Sequence, residues 1–164
     1  HVVRIGIHAM DDAYCVDRFG ATYWAPDGLI PEGGPKHEKL REGSDLPISD
    51  ATLFAFHDTK KPEAAILVAR EGGILLTCDS VQNWLGLDGC SLVARGVMRA
   101  MGFLHPMNIG PPWRKLMTKD GGSLLLDFER LTALPFDHAL GGHGDPAVGG
   151  AKAGLQATMR RVFT

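Results

Sequence analysis

Three apolar runs crowd into residues 51–77. Ala51–His57 (ATLFAFH), Ala64–Arg70 (AAILVAR) and Ile74–Thr77 (ILLT) have strand composition, and Glu71-Gly72-Gly73 alone separates the second from the third. So short a glycine-containing link closes a hairpin, and the three runs predict a β-meander. The meander ends on Cys78-Asp79, which puts a carboxylate where a strand becomes a loop. Chemistry-bearing groups are commonly held at such a place.

Around this centre the pattern alternates. Val2–Ile7 (VVRIGI) reads as a buried strand, Asp11–Phe19 as a short helix ending at Gly20, and Ala21–Ala25 (ATYWA) as a strand stopped by Pro26. Residues 26–45 are rich in Pro, Gly and charge and predict a surface loop. Ser91–Met101 and Leu124–Leu134 carry apolar residues at helical spacing, the second with Leu124, Phe128, Leu131 and Leu134 on one face. Asn108–Lys119, with Pro111-Pro112, reads as loop. Phe136–Leu140 is a strand candidate, and a last helix is expected from Asp145 (N-cap) and Pro146, burying Val148, Ala151, Leu155, Met159 and Val162. Strands interleaved with helices make an α/β layered domain, taken as a single unit over residues 1–164.

Composition excludes several functions. With 17 Lys plus Arg against 19 Asp plus Glu, the net charge is −2. That gives no electrostatic reason to expect nucleic acid or an anionic membrane as partner. No apolar run approaches the ~20 residues of a membrane span, and the opening HVVRIGIHAMDD meets charges too early for a signal peptide, so a cytoplasmic location is the expectation. Three cysteines, Cys15, Cys78 and Cys90, without a CxxC, do not form a disulfide framework. Asp79 beside Cys78 works against a reactive thiolate. Neither a phosphate loop nor a GxSxG elbow occurs.

Four polar residues stand where strands turn into loops: His8 and Asp12 after the first strand, Asp79 after the meander, and His143 between two glycines in GGHGDP. Imidazole with carboxylate suits zinc, iron or manganese. Each residue also has a purely structural reading: Asp12 caps the following helix, Asp79 closes a turn, His143 hydrogen-bonds locally.

In order and spacing these segments resemble the metallo-β-lactamase superfamily. That family carries HxHxDH after a strand, an isolated His in a GHTPGS-like turn, an Asp ending a strand, and a late His before a helix. Here His8-Ala9-Met10-Asp11-Asp12-Ala13 stands at the first motif, followed by FGATYWAP. Asp58-Thr59-Lys60-Lys61-Pro62-Glu63 stands at the second, GGILLTCDSV supplies the Asp, and GGHGDPAVGGAKAGL the last His. The resemblance runs from about residue 2 to the C-terminus.

The resemblance implies an αββα sandwich, with the family's opening strands having no counterpart before Val2. An edge left bare in that way is open to a second copy of the chain. It also implies a depleted metal site. Met10, Thr59 and Ala13 fall where the family has histidines, and His57, two residues from Thr59 and so on the same strand face, is a potential substitute. A dinuclear centre is not expected. The resemblance implies one divalent transition metal, zinc first with iron or manganese as alternatives, held by Asp12, Asp79 and His143 with His8 near. Asp12 and Asp79 then serve catalysis on an ester, thioester or phosphodiester of unknown identity. The alternative is a metal-free, non-catalytic relative that binds a ligand or partner.

Overall fold

The computed structural model describes residues 1–164. Its central layer is a four-stranded sheet. β4 (Ala51–Ala55), β5 (Ala64–Val68) and β6 (Ile74–Thr77) form the antiparallel meander, and β9 (His138–Leu140) adds in parallel beside β6. Successive side chains on a strand point to opposite faces, and here both faces are buried. Phe54, Ala65, Leu67 and Leu75 face one core; Leu53, Ala64, Ile66 and Leu76 face the other.

The second face meets a parallel three-stranded sheet: β1 (Val2–Val3), β2 (Tyr23–Pro26) and β3 (Glu38–Leu40). Val3, Ile5, Trp24 and Leu40 pack there against the meander. The β1 segment also reaches across, Ala64 N–H donating to Ile5 C=O at 2.8 Å. α1 (Asp12–Phe19) connects β1 to β2 and buries no residue.

The first face carries helices. α3 (Pro111–Met117), α4 (Leu125–Ala133) and α5 (Ala151–Val162) bring Trp113, Met117, Phe128, Leu131 and Leu155 into a core of 17 buried residues. α2 (Leu92–Ala100) lies outside that core with none of its residues buried; Ser91 caps it by accepting from Ala94 N–H at 3.2 Å. A short ribbon of β7 (Val81–Gln82) and β8 (Asn108–Ile109) follows the meander. No helix is long and apolar enough to cross a membrane.

Three local expectations change. Pro111-Pro112 opens α3 rather than a loop, because proline suits the first helical turn, whose N–H groups have no partner within the helix. The loop 26–45 contains β3. The last helix begins at Ala151, six residues after Asp145. Asp137 holds its start, accepting from Gly150 N–H at 2.7 Å, while Asp145 serves another turn and Val148 lies exposed.

Candidate metal centre

Asp79 follows β6 in a turn fixed from several sides. Thr77 Oγ1 donates to Val81 C=O at 2.9 Å, Gly142 N–H to Cys78 C=O at 2.9 Å, and Gln82 Nε2 to Asp79 C=O at 3.3 Å. The turn directs a nearly buried carboxylate, 12% exposed as a side chain, toward two half-exposed imidazoles.

His8 arrives from β1. Arg4 folds back on the chain before it, donating Nε to Gly6 C=O at 2.8 Å and Nη2 to Ile7 C=O at 3.1 Å. Gly6 permits the approach: a Cβ there would stand 2.6 Å from Cys78 Cβ and 2.9 Å from Glu63 Oε2.

His143 is presented by a latch around Asn83. Asn83 Nδ2 donates to Asp145 C=O at 3.1 Å, Asp145 N–H to Asn83 C=O at 2.7 Å, and Leu85 N–H to Asp145 Oδ2 at 3.2 Å. Gly144 has φ +88°, and a Cβ on it would stand 2.4 Å from Asn83 C=O. The indole of Trp84 stacks on the His143 ring at 6.3 Å and 15°.

His8 Nε2 lies 2.8 Å from Asp79 Oδ2, and His143 Nε2 lies 3.1 Å from Asp79 Oδ1. One ligand atom from each of the three residues lies within 4.8 Å of the other two. Asp79 Oδ1 is buried yet has no hydrogen-bond partner, His143 being close but not aligned to donate. A buried carboxylate oxygen in that state is costly unless something else satisfies it. A divalent cation suits the donor set, two imidazoles and one carboxylate.

Asp12, expected beside Asp79 and His143, is outside this trio. As the first residue of α1 it accepts a 2.6 Å hydrogen bond from the Tyr23 hydroxyl. Burial, then that bond, raises the Tyr23 pKa. Nor does Asp12 cap α1, since the N-cap position is Asp11.

His57 is also elsewhere. Its backbone N–H and that of Asp58 donate to the buried Asp127 carboxylate at 2.8–3.0 Å. Its ring sits in a surface network, Nε2 3.2 Å from Glu42 and Nδ1 3.3 Å from Arg130. Thr59, at the family's isolated-His position, is buried and bridges to Thr118.

Glu63 is the residue that sequence reasoning missed. It immediately precedes β5, is 1% exposed, and has no hydrogen-bond partner for either carboxylate oxygen. Burial pushes its carboxyl up to about 8; the neighbouring Trp113 indole pulls it down and the charge of Asp79 pushes it up again. The sequence signal was an acid directly before an unbroken apolar run. Burial, then the charges of Glu63 and Asp79, also push the Cys78 thiol up to about 11, in line with an unreactive cysteine.

No protein-family model matches the chain, and no curated protein is similar to it in sequence. Solved structures do match. A metallo-β-lactamase from Hirschia baltica superposes with a TM-score of 0.51 at 16% identity, covering 96% of this chain and 65% of that one. A β-lactamase domain protein from Burkholderia ambifaria matches with a TM-score of 0.41 at 21% identity, covering 92% of this chain and 38% of that one. The chain thus spans less than two thirds of either protein. At such identities the likeness speaks for architecture, and with the layered sheets above it assigns the chain a metallo-β-lactamase-like α/β fold.

Proposed function

We propose that the chain is a metal-dependent hydrolase built on one divalent cation site, with His8, Asp79 and His143 as protein ligands. The observation that carries this reading is the convergence of the three side chains around a buried, unpartnered Asp79 Oδ1. Three protein ligands leave a fourth position open, the pattern of catalytic rather than structural zinc. Two neutral imidazoles and one carboxylate cancel only one of the ion's two charges. An ion so held would lower the pKa of water toward ~7 and polarise an acyl or phosphoryl oxygen.

The protein's own groups do the rest. Asp79, anchored by its turn, fixes the centre. Arg4 and the Asn83 latch set the two imidazoles in position before anything binds, so little reorganisation is needed on binding. Zinc is the first choice of ion, with iron and manganese suited to the same donors. The reaction class is hydrolysis of an ester, thioester or phosphodiester.

The test is hydrolysis of p-nitrophenyl esters, a thioester and bis(p-nitrophenyl) phosphate by purified protein, with zinc, with manganese, and after chelation. Turnover that disappears on chelation, returns with metal and is absent from Asp79→Asn supports the proposal. One observation favours a second reading, a non-catalytic binding protein: Asp12 is engaged by Tyr23 and His57 by Glu42 and Arg130, so neither adds metal affinity to the three-residue set. That reading predicts no turnover under any of the three conditions.

A further inference from the structure

The trio opens into a cleft of about 420 Å³, in the range of small-molecule pockets. Its walls are apolar and aromatic: Trp84, Met98, Phe103, Trp113 and Leu116 contribute, and Gln82 adds a neutral amide. Apart from the trio, no charged side chain lines it. The basic residues adjacent in sequence to its walls, Arg99, Arg114 and Lys115, do not line it. Arg114 donates to Val162 C=O at 3.2 Å, and with Lys115 it lines a separate depression beside Thr118 and Phe163.

A phosphodiester carries an anionic group that such walls leave without a cationic side-chain partner, whereas phosphate recognition normally recruits Arg or Lys. An uncharged substrate meets no such deficit, and its apolar portion gains about 0.8 kcal/mol for each methylene buried. Resting on the hydrolase reading above, we infer that the site takes an uncharged acyl ester or thioester rather than a phosphodiester, its apolar acyl chain lying along Met98, Phe103 and Leu116. Hydrolysis there forms a bond from water oxygen to the acyl carbon and breaks the acyl C–O or C–S bond. The alcohol or thiol leaves with one proton from that water, and the acid forms with the remaining hydroxyl.

Binding tests this apart from turnover. Trp84 and Trp113 in the cleft report occupancy by fluorescence. The probes are acetamide, butyramide and hexanamide, which are uncharged and resist hydrolysis, against diethyl phosphate, each titrated into the zinc-treated and the chelated protein. The expected result is affinity rising up to about fourfold per added methylene, with diethyl phosphate weaker than hexanamide. Leu116, exposed at the rim, is then changed: Leu116→Lys should weaken hexanamide and strengthen diethyl phosphate. Affinity independent of chain length, or diethyl phosphate binding more tightly than hexanamide in the unaltered protein, overturns the inference. Zinc occupancy is read in parallel by equilibrium dialysis. Absence of zinc overturns the hydrolase reading, and the amide series still decides the character of the cleft.

Discussion

At the scale of single residues, the site depends on Gly6 and Gly144, neither of which is a ligand. Gly144 combines a positive φ with a backbone oxygen 2.4 Å from where its Cβ would be. Gly144→Ala therefore strains the latch that presents His143, and a loss of more than about 1 kcal/mol is expected in urea unfolding, with weaker zinc binding. Asp12→Asn should behave differently. It disturbs the bond from Tyr23, at a cost of about 1 kcal/mol, and leaves zinc affinity unchanged, because Asp12 lies outside the trio. Zinc titration of the folded variant checks this.

Glu63 predicts a pH dependence. Its folded carboxyl is raised from 4.5 to about 8. Between those values the unfolded chain has lost the proton and the folded chain keeps it. The folded state therefore binds more protons, and stability falls as pH rises through that window, by up to about 1.4 kcal/mol per pH unit from this group. Below the window the contribution is complete; above it the penalty is full. In chelated protein, Glu63→Gln should flatten that slope and raise the melting temperature at about pH 8. An unchanged slope would remove Glu63 as its source.

At the scale of elements, the meander strands were easier to read than the ends of helices or the short strands β3, β7 and β8. The meander was legible because unbroken apolar runs with a glycine turn between them have few other ways to fold, and β4, β5 and β6 lie within the segments expected. The start of α5 was not. Asp145-Pro146 is a good helix opening locally, but Asn83 engages Asp145, and Asp137 takes over the cap. That competition is long-range and leaves no trace in local spacing. α3 was misread for the opposite reason: Pro-Pro signals a break or a beginning, and only the core behind Trp113 and Met117 decides between them.

His8, Asp79 and His143 were legible as residues at strand ends, whereas the absence of Asp12 and His57 from their group depended on partners distant in sequence. Phe128→Ala on α4 should cost about 3–5 kcal/mol, since Phe128 is fully buried against Phe56, Trp113 and Phe163. Leu92→Glu on α2, whose side chain is exposed, should stay within about 0.5 kcal/mol. Chemical denaturation of the pair compares them directly.

At the scale of the whole molecule, the layered sheets bring three segments far apart in sequence to one place: the loop between β1 and α1, the turn after β6 and the turn after β9. Whether that convergence binds a metal is read from the metal content per chain. Equilibrium dialysis against zinc, followed by elemental analysis, should find about one ion per chain in the unaltered protein and in His57→Ala, and none held tightly by Asp79→Asn or His143→Ala. Equal occupancy in all four proteins, or none in the unaltered one, would contradict a metal centre at His8, Asp79 and His143.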